Sequence, residues 1–144
     1  MTIWIFGTSR LPSSARKPRK ITGICRRILK EEKADKPGEI NIVFLERPAM
    51  RALNKRYLGK THDTDVIAFS YPADPVPLPG ERPFGDIFIS AYKARAQAAA
   101  LGHPVLTEVL ILVAHGTLHL LGYDDSTPRQ KSVMFKKQKR VVGC

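Results

Sequence analysis

The sequence is short of acidic residues, of cysteine and of long apolar runs. With 13 Asp and Glu against 24 Lys and Arg it carries a formal charge of +11. Such an excess favours a polyanionic partner, nucleic acid first, because cations that neutralise phosphates release condensed counterions. The plain alternative is a basic surface that only confers solubility. The two cysteines, Cys25 and the final residue Cys144, are too few for a disulfide framework and fit a reducing compartment. The longest apolar run near the middle, Val109 to Ala114, stops at Glu108 and His115. That is far short of the roughly 20 residues a membrane-spanning helix needs. Met1 to Phe6 has no basic stretch before its apolar residues, so no secretory signal is expected and the cytosol is the expected compartment.

What is present points to one folded domain over residues 1–144. A chain of this length buries one core well and two cores poorly. A composition of 43% hydrophobic and 26% charged residues excludes a disordered tail or a collagen-like repeat. The positive charge gathers towards the ends: ten basic residues lie between Arg10 and Lys36, and six with no acid lie between Arg129 and Arg140. The middle holds Asp63, Asp65, Asp74, Glu81, Asp86, Glu108, Asp124 and Asp125, where the histidines also fall. Basic flanks around a cation site are the reading this asymmetry supports.

Periodicity supplies the elements. Ile3 to Phe6 reads as a strand, followed by a polar loop with Pro12, Ser13, Ser14 and Pro18. Ile21, Ile24, Cys25, Ile28 and Leu29 form one helical stripe with Arg26, Arg27 and Lys30 around it. Ile40 to Leu45 reads as a largely buried strand. Pro48 opens a helix closed by Gly59, and Thr64 to Phe69 is a further strand. Five prolines and Gly80 between Tyr71 and Phe84 make a surface loop, and Ile87 and Ile89 resume a strand. Ala91 to Leu101, Val105 to Leu121 and a stretch from Thr127-Pro128 are helices, the second closed by Gly122. The sum is an α+β domain with about four strands in a mixed sheet covered by about five helices.

The chemistry concentrates in His115-Gly116-Thr117-Leu118-His119-Leu120-Leu121-Gly122-Tyr123-Asp124-Asp125. Four residues apart on a helix, His115 and His119 leave one face about a turn apart and can share a metal ion. A reversal at Gly122 returns Asp125 to them, giving two nitrogens and one oxygen at the end of a central helix, with water in the remaining positions. The spacing is that of the metzincin motif with Gly116 in place of the glutamate base, which disfavours a protease. The plain alternative is a pair of ordinary histidines beside a core stripe of Leu106, Leu110, Val113 and Leu121. His62 and His103, in loops, are expected on the surface.

Here the chain resembles the YbeY family of bacterial endoribonucleases and rRNA maturation factors, over about Ile40 to the end. The resemblance rests on Leu53-Asn54 with Tyr57 and Gly59-Lys60, on Thr64 to Phe69, on Gly85-Asp86-Ile87 with Ile89-Ser90, on Glu108, and on the run from His115 to Asp124. It implies an α+β fold with a four-stranded mixed sheet, and one zinc ion held here by His115, His119 and Asp125. It also implies cleavage of single-stranded RNA in 16S rRNA maturation and ribosome quality control, with the small ribosomal subunit and an Era-type GTPase as partners. The catalytic group would be a water on the metal at these three residues, with the general base unassigned and Asp124 or Glu108 available to assist or orient. Each has a plainer role, Asp124 in the helix turn and Glu108 at a helix N-terminus.

Two positions depart from the family pattern. Asp125 stands where the family has a third histidine, which adds negative charge and hardens the ligand set. Leu58 stands where the family has an arginine suited to phosphate. Arg56 and Lys60 are the nearby cations, although Arg56 points about 160° away from position 58 on a helix. With Lys136, Lys137 and Lys139 they are the expected RNA contacts. A non-catalytic RNA-binding assembly factor with a structural metal is the alternative, separable by whether the metal keeps an exchangeable water.

Overall fold

A computed structural model describes residues 1–71 and 83–143. Most of the proline-rich loop expected between Tyr71 and Phe84, with Asp74 and Glu81, lies outside the described residues, as does Cys144. Four strands form one sheet: β1 (Thr2–Phe6), β2 (Glu39–Leu45), β3 (Val66–Ser70) and β4 (Pro83–Ser90), in the order β1-β2-β4-β3. β1 and β4 both pair with β2 in parallel, and β3 runs antiparallel to β4, so the sheet is mixed. Five α-helices accompany it: α1 (Pro18–Glu31), α2 (Arg47–Leu58), α3 (Ala91–Leu101), α4 (Val105–Leu120) and α5 (Pro128–Val142). The α+β class and the element count agree with the periodicities in the sequence.

Three local differences have physical causes. The polar loop after β1 is anchored: two short 3₁₀ turns, Thr8–Arg10 and Ser13–Ala15, place Leu11 and Ala15 inside the core. Polar neighbours hid those two apolar anchors. β3 begins at Val66 rather than Thr64, because the Asp65 carboxylate takes the Val66 N–H at 2.8 Å and starts the strand. α4 ends at Leu120, and Gly122 follows at φ 96°, a left-handed value that favours glycine.

α4 is the element around which the rest is packed. It touches β3, β4, α1, α3 and α5. Val109, Leu112, Val113, Ala114, Gly116, Thr117, Leu118 and Leu120 are all buried. A helix apolar on nearly every side must be covered on nearly every side. Gly116 allows the closest approach to the sheet: a Cβ there would lie 2.5 Å from Ile87 Cγ2 and 3.2 Å from Val66 Cγ2. The partly exposed positions Ile111, His115 and His119 are spaced four apart, so they form the one stripe of the helix's second half that reaches solvent. Among the described residues no single helix is long and apolar enough to cross a membrane.

Candidate metal centre and its flanking clefts

The reversal after α4 is built from backbone hydrogen bonds. The Gly122 N–H donates to His119 O at 3.0 Å and the Tyr123 N–H to Leu118 O at 3.1 Å, a glycine-centred helix stop. It turns the chain back over the last turn of α4. Asp124 then holds the next turn, accepting from the Asp125 N–H at 2.8 Å and from Ser126 Oγ at 2.8 Å. These bonds, the Ser126 hydroxyl first, hold the Asp124 carboxyl below its ordinary range. Asp124 therefore has the turn-holding role, with an acceptance by each oxygen. Thr127 and Gln130 form a capping box that starts α5, with Pro128 in its first turn.

This path brings Asp125 to the two histidines. The ligand atoms of His115, His119 and Asp125 all lie within 4.8 Å of one another, so the group could hold a metal ion. Asp125 Oδ2 is 3.4 Å from His115 Nε2 and 3.8 Å from His119 Nε2. The two Nε2 atoms are 2.9 Å apart. What each ring does at its other nitrogen decides how that short approach is read. His119 Nδ1 lies 2.9 Å from the Tyr123 carbonyl oxygen, which only accepts, so Nδ1 carries the proton. His115 Nδ1 lies 2.6 Å from Gln138 Oε1, again an acceptor. With both Nδ1 atoms committed to outer acceptors, the two imidazoles present their Nε2 lone pairs to one point beside a carboxylate. Such lone pairs repel unless a cation sits between them, and imidazoles so oriented by outer acceptors are the usual form of metal-ligating histidine. The donor set fits a divalent ion.

Gln138 and the Tyr123 carbonyl were not among the sequence's candidates. Gln138 stands on α5, 23 residues from His115, and only the docking of α5 along α4 brings it near. Tyr123 is fixed from the far side: its hydroxyl donates to Glu32 Oε1 at 2.5 Å, and Lys137 Nζ reaches the same carboxylate at 3.0 Å and lies 5.1 Å from the Tyr123 ring centre. The Tyr123 hydrogen bond, then Lys137, lowers the Glu32 pKa. Glu32, Tyr123 and Lys137 thus pin the reversal to α1 and α5. Lys137, expected to face RNA, has a partner within the fold, whereas Lys136, Lys139, Arg56 and Lys60 are exposed. Arg56 lies 5.4 Å from the ring centre of Tyr57, and Leu58 is also exposed.

Gly116 faces Ile87 and Val66 rather than the histidines, so a side chain at 116 would enter the core. Packing alone accounts for the missing glutamate. Glu108 is 4% exposed and lies two turns, roughly 10 Å, before His115 on α4. His103 meets it there, Nε2 to Oε2 at 2.6 Å. The expectation that His103 is a surface residue is therefore corrected: it is half-buried, because the bend at Pro104 folds it onto the first turn of α4. His62 is exposed as expected.

Two clefts meet at His115 and Gln138. One, of about 610 Å³, is lined by Asp125, Lys131, Met134 and Phe135 among others. The other, of about 400 Å³, is lined by Asp65, Gln97, Leu101, Glu108, Ile111 and Leu112 among others. Lys131 was not singled out from the sequence; its place one turn into α5 puts it on the lining of the wider cleft with His115 and Asp125.

Comparison with known proteins agrees with this geometry. The family model for Endoribonuclease YbeY matches residues 9–143, beginning well before Ile40, so the similarity includes the basic helix α1. An Endoribonuclease YbeY from Elusimicrobium minutum is 37% identical over 145 residues, covering 99% of this chain and 98% of that one. Another, from Geobacillus kaustophilus, is 39% identical over 117 residues, covering 74% of this chain and 72% of its own. A solution structure from Thermotoga maritima superposes with a TM-score of 0.64 at 27% identity, over 98% of this chain and 87% of that one. The mixed sheet, the central helix with its two histidines and these matches lead to one conclusion: the chain belongs to the YbeY endoribonuclease family.

Proposed function

We propose that this chain is an endoribonuclease that cuts single-stranded RNA in rRNA maturation, on 16S rRNA and in ribosome quality control, with one divalent ion held by His115, His119 and Asp125. The observation that carries the metal is the outward commitment of both Nδ1 atoms, to Gln138 Oε1 and to the Tyr123 carbonyl. Two imidazoles and a carboxylate with an open position are a set that catalytic zinc uses, and zinc is the ion proposed. When bound, such an ion supplies an acidified water and polarises a phosphoryl oxygen.

The residues of the chain do the positioning. Asp125 adds the negative charge that the third ligand carries here, and its side chain is 42% exposed, so the centre opens to substrate. Lys131, in the wider cleft with Asp125, is placed to neutralise a phosphate there. Exposed Lys136 and Lys139 on α5, with Arg56 and Lys60 on and after α2, extend the cationic surface for the RNA backbone. Lys137 supports the same surface through Glu32. Gly116, Glu108 and Asp124 are each committed elsewhere, so no side chain is assigned as general base. The family resemblance implies the small ribosomal subunit and an Era-type GTPase as partners.

A non-catalytic assembly factor with a structural metal is not favoured, because structural zinc sites close with four protein ligands and, among the described residues, this group offers three at a cleft. The test is incubation of the purified chain and of His115→Ala with labelled single-stranded rRNA, with and without chelator. Defined cleavage by the metal-loaded chain, lost in both controls, is the expected result. Binding without cleavage by the metal-loaded chain would overturn the enzymatic reading.

A further inference from the structure

The 400 Å³ cleft beside His115 is chemically unlike the rest of this basic protein. Its volume is that of a small-molecule site, roughly 300–1,000 Å³. Ala100, Leu101, Ile111 and Leu112 give it apolar walls, and its polar groups are mostly acceptors. Asp65 Oδ1 takes the Val66 N–H at 2.8 Å, and Asp65 Oδ2 takes one Gln97 Nε2 hydrogen at 3.2 Å. That bond fixes the Gln97 amide and leaves Gln97 Oε1 buried with no hydrogen-bond partner among the described residues. A buried carbonyl oxygen without a donor is costly, and a ligand that brings an N–H removes the cost. Glu108 adds a second carboxylate to the lining.

Acidic oxygens repel phosphate, so the RNA backbone does not enter this cleft; the neighbouring cleft with Lys131 suits it. A base suits it chemically: planar, flanked by the aliphatic side chains, and recognised by its hydrogen-bonding edge. Guanine alone among the four RNA bases presents two adjacent donors, N1–H and N2–H₂, a bidentate match to a carboxylate and a neighbouring carbonyl oxygen. Uracil would bring two carbonyl oxygens against Asp65 and Gln97. Gln138, whose Oε1 is taken by His115, carries a remaining amide NH₂ on the same lining, a donor for the guanine O6.

We infer that the cleft lined by Asp65, Gln97 and Gln138 is a guanine subsite that selects the nucleotide beside the scissile phosphate. The inference rests on the endoribonuclease reading for its role in cleavage, but base binding stands apart from it. The cleft shares His115 with the metal-ligating group, so a guanine seated there lies beside that group.

The test has two readouts on the full, metal-loaded chain. In the first, guanosine, uridine and magnesium chloride are titrated separately while the side-chain amide resonance of Gln97 is followed by NMR. Guanosine should shift that resonance, with uridine and magnesium leaving it in place, and Asp65→Asn should weaken the guanosine response. A response to magnesium without one to guanosine would make the cleft a cation site, and an equal response to uridine would make it unselective; either overturns the inference. In the second, single-stranded oligonucleotides that differ at one position are compared for cleavage. A preference for guanine of about tenfold or more in kcat/KM is expected, the yield of a good bidentate pair, and Gln97→Leu should flatten it. Cleavage without base preference sinks the subsite alone. Guanosine binding without any cleavage sinks the endoribonuclease reading and leaves the subsite.

Discussion

Histidine meets carboxylate at both ends of α4, and the two ends behave differently. At the N-terminal end, His103 and Glu108 meet directly at 2.6 Å, with Glu108 4% exposed. At the C-terminal end, His115 and His119 turn their Nδ1 atoms outwards and point both Nε2 atoms at a shared position, where Asp125 stands back at 3.4 and 3.8 Å. The first pair satisfies itself and locks the α3–α4 bend. The second is held open by groups outside it, Gln138 and the Tyr123 carbonyl, and could hold a metal ion. The partners of the other ring nitrogen separate a structural histidine from a ligand more surely than its distance to an acid does.

Removing a ligand should break this contrast most strongly. His115→Ala should take the bound metal from one ion per chain to none, measured by elemental analysis after gel filtration, and abolish cleavage; His103→Leu should leave the metal content at one. The smaller cost of His103→Leu is to stability, about 1–3 kcal/mol by denaturant unfolding, since buried Glu108 loses its hydrogen bond. Gln138→Leu sharpens the comparison from the other side. It touches no metal, yet freeing the His115 ring should weaken metal affinity about 10–100-fold in a competition titration. A wild-type affinity would show that α5 does not orient that ring.

Acid should act on the C-terminal end through Glu32. Its folded pKa is lowered, by the Tyr123 hydroxyl first and by Lys137. Its stabilisation is therefore complete above the ordinary carboxylate pKa and is lost as pH falls through the lowered folded value. Glu32→Gln should flatten the stability profile in that acid range, a loss read by thermal melts across pH. The smallest expected effect belongs to the surface. Lys136→Ala with Lys139→Ala should reduce the salt slope of RNA binding by about 0.7 per lost phosphate contact, with the fold intact. An unchanged slope would place the RNA elsewhere.

What the sequence disclosed follows the reach of each interaction. His115, His119, Gly122 and Asp125 lie within eleven residues and obey the helical period and a glycine stop, so their meeting is legible from spacing alone. The strands and helices are equally local. Gln138 and Glu32 were invisible because they reach the site across 23 and 91 residues, through the packing of α5 and α1 on α4. His103 was misread although its partner is five residues away, because a loop histidine before Pro104 gives no period to read. The guanine cleft draws on β3, α3, α4 and α5 together, so only the assembled fold displays it.

The proposed centre is one divalent ion on His115, His119 and Asp125 with room left for substrate. X-ray absorption on the purified, metal-loaded chain tests it directly. The expected spectrum is that of zinc with two imidazole nitrogens at about 2.0–2.1 Å, a carboxylate oxygen at about 2.0–2.2 Å and at least one further light oxygen that exchanges with solvent. A site saturated by protein ligands, or a spectrum unchanged in His115→Ala, would contradict it.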